Sequence, residues 1–173
     1  MLHTWLYRSR ALVAPRSVAD GLIYLQARQF NATLGVTGYL HREDGFYVQY
    51  IEGPRDGLVR LAGVIRGDGR HMEVETLARG TTSQRRFEGW DMAFTTADAM
   101  EGTMSFAAWQ IERGRFERLF EADAPCMLEF MSTAAAAGAA RSVADHLPQP
   151  ARVRSGHILA VDRTAAGIQL PTA

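Results

Sequence analysis

The sequence contains little of what several large classes of protein depend on. Its single cysteine, Cys126, allows neither a disulfide framework nor a cysteine cluster for zinc, which suits a reducing compartment and predicts a small buried side chain. No apolar run approaches the roughly 20 residues that a membrane helix needs, and the first residues lack the basic and apolar regions of a signal peptide. We therefore expect a cytoplasmic location and no membrane partner.

The sequence also lacks an excess of charge of either sign and lacks the common enzyme motifs. The 19 basic and 19 acidic residues give a formal net charge of zero without a basic stripe, so nucleic acid is not an expected partner. Glycine-rich phosphate loops, the hydrolase nucleophile motif and the zinc-protease motif do not occur. The five histidines lack ligand spacing: His3, His41, His71, His146 and His157. The sequence thus predicts neither an enzyme nor a metal site.

Strand and helix patterns alternate over the first hundred residues. Ser17 followed by Asp20 predicts a helix start, and Asp44-Gly45, in the polar hinge of residues 42–45, favours a tight hairpin turn. The predicted strands are Thr4 to Ser9, Leu34 to Leu40, Phe46 to Ile51, Met72 to Ala78 and Trp90 to Phe94, with helices from Val18 to Phe30 and from Gly53-Pro54 to Gly67. This order, βαββαββ, predicts an α+β protein with a ferredoxin-like mixed sheet and both helices on one face.

Beyond about Thr95 the strand patterns give way to helical ones. We expect two or three short helices that cover the other face of the sheet. The predicted division is a domain of residues 1–97, a helical extension of residues 98–147 for output or oligomerisation, and a flexible tail of residues 148–173 with a short strand at Ile158 to Val161.

Two polar residues stand out within apolar strands. Gln49 lies in the middle of Phe46 to Ile51, where a buried amide without a partner would cost about 1 to 3 kcal/mol. Gln49 could instead lie at a sheet edge, and Tyr7 could be an ordinary core tyrosine.

Five segments together resemble the BLUF family, the blue-light sensors that use flavin, in its short single-domain form. They match in order and spacing: Leu6 to Ser9, Phe30 to Gly38, Phe46 to Gly53, Asp68 to His71 and Arg86 to Met92. The resemblance implies a non-covalent flavin between the two helices, usually FAD, with FMN or riboflavin as alternatives. Phe30 stands where some members carry a polar residue, and Gly67 and Gly69 stand where others carry basic residues, so the resemblance covers Tyr7 and Gln49 more fully than the ring and ribityl contacts.

The resemblance also implies roles for individual side chains. Tyr7 resembles the electron and proton donor, and Gln49 the amide that links it to the flavin ring. Asn31 resembles the residue on the pyrimidine edge of the ring. The remaining implied site residues are the polar group Asp68, Arg70 and His71, the strand 5 pair Trp90 and Met92, and Ser9 as a minor partner.

The implied function is a blue-light photoreceptor that is not an enzyme and signals to itself in an oligomer or to a downstream protein. Structural interpretations of the same residues stay open: a helix end at Asn31, a solvated turn at Asp68 and Arg70, and plain core at Trp90 and Met92. Two other functions also stay open. One is a small hydrolase of the acylphosphatase kind that uses Asn31 and an arginine, and the other is a light-insensitive interaction module.

Overall fold

The computed structural model describes residues 1–97 and 104–138. Its elements in chain order are β1 (Leu2–Ala11), α1 (Val18–Thr33), β2 (Thr37–Glu43), β3 (Phe46–Gly53), α2 (Arg55–Gly67), β4 (His71–Thr82), β5 (Ala93–Thr96), α3 (Phe106–Glu112) and α4 (Ala124–Ala136). The predicted tail of residues 148–173 and the strand expected at Ile158 to Val161 lie outside the described residues.

The strands form one sheet in the order β4-β1-β3-β2-β5. β1 pairs antiparallel with β3 and β4, β2 pairs antiparallel with β3, and β5 lies parallel to β2 at the edge. Each strand-helix-strand unit skips one strand, so the two crossover helices lie on the same face. The predicted α+β ferredoxin-like sheet is confirmed.

Local sequence explains two of the boundaries. The Ser17 hydroxyl accepts a hydrogen bond from the Asp20 backbone N–H at 3.2 Å, which caps the first turn of α1. Asp44 (φ 51°) and Gly45 (φ 77°) both take the left-handed backbone that a two-residue hairpin turn requires. The predicted helix start and the predicted hairpin are therefore both present.

Two strands begin later than the sequence predicts. α1 continues to Thr33 and the chain then reverses at Gly35 (φ 62°), so β2 starts at Thr37 instead of Leu34. Gly89 (φ 79°) starts a bend that delays β5 to Ala93, so Trp90 and Met92 precede the strand. In both places the local apolar pattern was compatible with a strand, and a glycine turn outweighed it.

The predicted polar hinge at residues 42–45 is also shorter than expected. Arg42 and Glu43 complete β2 and are buried, with only 2% and 3% of their surface exposed. Each charge is compensated by tertiary partners that come from distant parts of the chain.

A layer of helices covers each face of the sheet. α1 and α2 pack over Trp5, Tyr7, Leu40 and Ile51 on one face. α3 and α4 pack over the other, where the buried residues include Leu6, Tyr39, Val48, Tyr50, Trp109, Met127 and Phe130. Within residues 1–97 and 104–138, none of the helices has the length and apolar character needed to cross a membrane.

Candidate functional site

A cavity of about 430 Å³ lies between the sheet and the helices α1 and α2. Its volume is within the range of roughly 300 to 1,000 Å³ that small-molecule sites usually have. The helices contribute mostly apolar walls, Ile23, Ala27, Phe30, Leu61, Val64 and Ile65, while the sheet contributes a polar floor, Tyr7, Ser9, Tyr47 and Gln49. The apolar side chains of Ile23, Ala27 and Phe30 in α1 therefore face a cavity and not a solid core.

Tyr7, Gln49 and Met92 meet at the floor of this cavity. Tyr7 on β1 and Gln49 on β3 are direct partners across the antiparallel pair, so their side chains leave the sheet on the same face. The Tyr7 hydroxyl donates to Gln49 Oε1, and Gln49 Nε2 donates to Met92 Sδ at 3.3 Å. The buried Gln49 amide thus has a hydrogen-bond partner at each end, so it avoids the free-energy cost of an unpaired buried amide.

The Tyr7 phenol is held in its protonated form. Burial raises the pKa of Tyr7 well above its usual value because the phenolate would be poorly solvated, and the charge of Asp68 acts in the same direction. Tyr7 therefore enters any reaction as a proton donor.

Three buried polar atoms around the cavity have no hydrogen-bond partner among the described residues. They are Ser9 Oγ, Asn31 Oδ1 and His71 Nδ1. Ser9 and His71 line the cavity, and burial lowers the pKa of the His71 ring, which favours its neutral form. Such atoms normally find a partner, so the set points to a ligand that has both donors and acceptors.

Asn31 lies beside the cavity, in the last turns of α1. It is fully buried, and its Nδ2 donates to the Asp91 carbonyl oxygen at 2.9 Å. The left-handed residue after α1 is Gly35 (φ 62°). Asn31 therefore does not form the left-handed helix end that the sequence allowed. Asn31 thus connects α1 to the segment just before β5.

Asp68 and Arg70 form a fixed ion pair at the rim. Arg70 Nη2 lies 2.5 Å from Asp68 Oδ2 and also donates to Gln26 Oε1 of α1 at 2.7 Å. The hydrogen bond from the Arg70 side chain holds the pKa of Asp68 below its usual range. Both side chains line the cavity, so the turn predicted from sequence also forms part of its wall.

Trp90 and Met92 do not share a face, although the strand predicted from Trp90 to Phe94 implied that they would. Met92 is buried on the cavity side of the sheet, and Trp90 packs against the cluster under α3 and α4. The alternation rule applies to a strand, and these residues lie in the bend before β5.

Three residues at or next to the cavity were not predicted from the sequence. Tyr47 lines its floor, Asp20 receives the Tyr47 hydrogen bond, and Arg42 lies next to both. Tyr47 could have been found, because it is two residues before Gln49 and so shares its face. In the sequence, the helix start accounts for Asp20 and the polar hairpin hinge accounts for Arg42, and neither pattern predicts that the side chain is buried.

The fold and the cavity define a class of protein: a ferredoxin-like domain with a cavity of ligand size between its two helices and its sheet. The sequence profile of the family described as sensors of blue-light using FAD, or BLUF, matches residues 2–93, which is more than half of the chain. The chain belongs to the BLUF family.

Individual relatives agree with this assignment. Photoactivated adenylate cyclase subunit beta of Euglena longa is 35% identical over 101 residues, which are 57% of this chain and 12% of that protein. The dark-state structure of BlrB, a BLUF protein, is 29% identical with a TM-score of 0.61, and the match covers 78% of this chain and 96% of that one. The photo-activated state of BlsA, at 22% identity and a TM-score of 0.64, covers 78% and 94% and supports the fold alone. The chain spans only a small part of the cyclase subunit.

The residues present fit a flavin, which is the family's cofactor. A flavin ring has an apolar benzenoid end and a pyrimidine edge with donors and acceptors, and the cavity combines apolar helix walls with the lining residues Ser9 and His71, which carry unpartnered polar atoms. A third such atom belongs to Asn31, the residue after the lining residue Phe30 in α1. The protein is thus a blue-light sensor of the flavin-binding kind. In the described parts of the chain, no group of three or more His, Cys, Asp or Glu side chains could hold a metal.

Proposed function

We propose that light sensing in this protein runs through Tyr7, Gln49 and Met92 as one hydrogen-bonded unit. The observation that carries the proposal is the buried bond from Tyr7 to Gln49 in the floor of the cavity. A bound flavin would supply the absorption of blue light and the capacity to accept an electron from the protein.

The properties of the side chains support these roles. Tyr7 holds a proton that becomes strongly acidic once the ring loses an electron, and Gln49 Oε1 is already in place to receive its hydrogen bond. Gln49 presents an acceptor at one end of its amide and two donors at the other, so a change in that amide alters what Tyr7 and Met92 contact. A changed hydrogen-bond pattern can outlast the return of the electron.

Other side chains around the cavity would hold and orient the flavin. We assign Asn31 to the polar edge of the ring, where its unpartnered Oδ1 needs a donor. Asp68, Arg70 and His71 would form the polar rim around the outer edge, and Ser9 would support Gln49 from β1.

The signal would leave through the segment before β5. Met92 contacts Gln49 on one side of the sheet, and Trp90 packs against the helical layer on the other, so a shift of this segment reaches both layers. We assign the output to the extension after residue 97, where Ile111 and Phe116 expose 63% and 84% of their surface. Exposed apolar side chains of this kind suit a protein partner or a second copy of the chain.

We further propose that this chain acts by regulation and has no catalytic activity of its own, as its membership of a sensor family supports. The hydrolase alternative is not favoured, because the family that matches residues 2–93 is one of sensors. A cytoplasmic location stays a prediction from the sequence.

The test compares light-minus-dark absorption spectra of the FAD-loaded protein and its variants. Tyr7→Phe keeps the ring and removes the hydroxyl, and Gln49→Leu removes both ends of the amide. We expect both to bind flavin and to lose the reversible red shift. The matched control is Tyr39→Phe, which removes a buried hydroxyl bonded to Thr95 on the opposite face of the sheet.

A full red shift with normal recovery in Tyr7→Phe or Gln49→Leu would refute the proposed unit. Loss of the red shift in Tyr39→Phe would show that the assay responds to general damage. A protein that releases no flavin on denaturation, even after reconstitution, would contradict the cofactor assignment itself.

A further inference from the structure

A second tyrosine faces the flavin cavity from the same strand as Gln49. Tyr47 lies two positions before Gln49 on β3, so the two side chains share a face. Both line the cavity together with Tyr7, and only 3% of the Tyr47 surface is exposed. A flavin in the cavity would therefore have two buried tyrosines within its wall.

The two tyrosines differ in the group that accepts their hydrogen bond. Tyr7 donates to the neutral amide of Gln49, whereas Tyr47 donates to the carboxylate oxygen Asp20 Oδ1 at 2.5 Å. A carboxylate can take the proton fully and an amide cannot, so the Tyr47 partner is a true base.

Asp20 is held in place by several other contacts. Its Oδ2 accepts a hydrogen bond from the Arg16 backbone N–H at 3.0 Å, and Arg42 Nε lies 3.3 Å from Oδ1. Tyr24 also donates to Oδ1, at the longer distance of 3.5 Å. Only 5% of Asp20 is exposed, so the carboxylate faces Tyr47 without competing water.

The surroundings of Tyr47 couple its electron to its proton. The Tyr47 proton becomes strongly acidic once the ring loses an electron, and the Asp20 carboxylate is already in place to take it. Burial and the hydrogen bond to Asp20 both raise the pKa of Tyr47, which keeps the phenol protonated beforehand. The electron therefore leaves favourably only when the proton moves to Asp20 in the same event.

We propose that Tyr47 and Asp20 form a second electron and proton donor pair for the photoexcited flavin, in competition with Tyr7 and Gln49. The inference rests on the proposed function. One electron passes from the Tyr47 ring to the excited flavin, the Tyr47 O–H bond breaks, and an O–H bond forms at Asp20 Oδ1. The return of the electron to the ring and of the proton to the phenol oxygen restores the starting state.

This second pair is an unproductive branch. Its reaction leaves the hydrogen bonds of Gln49 unchanged, so it quenches the excited flavin without producing the signalling state. The balance between the two tyrosines would set the yield of signalling per absorbed photon. Removal of Tyr47 should then raise that yield.

The experiment measures flavin fluorescence lifetimes in a Tyr7→Phe background, where the first donor is gone. We expect the Tyr7→Phe protein to retain a shortened lifetime, and the added change Tyr47→Phe or Asp20→Asn to lengthen it several-fold. Asp20→Asn keeps an acceptor for Tyr47 but removes the base. The matched control is Tyr24→Phe, which also removes a hydroxyl bonded to Asp20 but is not among the residues that line the cavity.

A Tyr7→Phe lifetime that does not change on addition of Tyr47→Phe would overturn the proposal, as would an equal effect from Tyr24→Phe. In the wild-type background, Tyr47→Phe should raise the quantum yield of the red-shifted state, and a lower yield at unchanged flavin affinity would count against the branch.

A measurement without flavin tests the pair itself. In the apoprotein with isotopically labelled tyrosine, Asp20→Asn should shift the infrared C–O stretch of a phenol bonded to Asp20, and the larger shift should belong to the band that is absent from Tyr47→Phe and present in Tyr24→Phe. An unshifted band would overturn the pair whatever the light response is. A wild-type protein that binds no flavin but shows this shift would refute the proposed function and leave the Tyr47–Asp20 bond established.

Discussion

The carboxylate of Glu43 joins the helix α3 to the sheet through hydrogen bonds, and its removal should lower the free energy of unfolding. Glu43 Oε2 accepts hydrogen bonds from the Phe106 backbone N–H at 2.6 Å and lies 2.9 Å from His41 Nε2. Its Oε1 accepts from the Ala107 N–H at 3.0 Å. His41 Nδ1 in turn contacts Thr95 Oγ1 of β5 at 2.7 Å. One buried side chain thus connects β2 with the first turn of α3 and, through His41, with β5.

The expected magnitude follows from this arrangement. A hydrogen bond to a charged group contributes about 1.5 to 3 kcal/mol, and removal of one partner from a buried pair costs about 3 to 5 kcal/mol. Glu43 is 3% exposed, so solvent does not screen these contacts. Glu43→Leu should therefore lower the free energy of unfolding by about 3 to 5 kcal/mol. Glu43→Gln keeps one acceptor oxygen and should cost about 1 to 3 kcal/mol.

Urea unfolding of the variants at neutral pH measures this loss, with the slope of the transition as a check on compactness. The matched control is Glu75→Gln. Glu75 also forms an ion pair, 2.8 Å from Arg8 Nε, but its side chain is 56% exposed, so its removal should cost about 0 to 1 kcal/mol. A loss below about 1 kcal/mol for Glu43→Leu would show that Glu43 does not fasten α3.

The stability of the wild type at low pH should depend on the same contacts of Glu43. Burial alone would raise the pKa of Glu43, but the hydrogen bond from His41 and those from the two amides outweigh it and hold the pKa below its usual value of 4.5. A lowered pKa in the folded state contributes stability that is fully present above 4.5 and is lost as the pH falls through the native value. The stability difference between the wild type and Glu43→Gln should therefore shrink below pH 4.5, and a constant difference would contradict this assignment.

Two further predictions concern β2 and the segment before β5. Gly38→Ala should lower the free energy of unfolding by about 1 to 3 kcal/mol, because the added Cβ would overlap the Tyr50 carbonyl oxygen across the strand pair; thermal unfolding without a decrease would be evidence against this close approach. Trp90→Ala should leave flavin affinity and the red shift in place while it changes the lifetime of the lit state, because Trp90 packs on the side away from the cavity. A Trp90→Ala protein that no longer responds to light would place the indole at the cavity.

Much of the site could be predicted because local patterns and the family resemblance agreed. Tyr7 and Gln49 lie in strands whose alternation assigns a face to each side chain, and their pairing follows once β1 and β3 are neighbours. The same rule fails for Trp90 and Met92 because they precede β5, in the bend that Gly89 introduces. Asp20 and Arg42 were assigned to local turns because nothing in their own segments shows that they meet each other 3.3 Å apart.

The sequence by itself determined the order of strands and helices, the hairpin at Asp44-Gly45, the helix start at Ser17 and the family to which the chain belongs. These features depend on residues near one another in the chain or on motifs in register. Only the tertiary structure decided that the Tyr47 hydroxyl meets the carboxylate of Asp20, and that Glu43 is buried against the first turn of α3. The physical reason is that the cost of burying a charge depends on its partners, and those partners come from segments as much as 64 residues away along the chain.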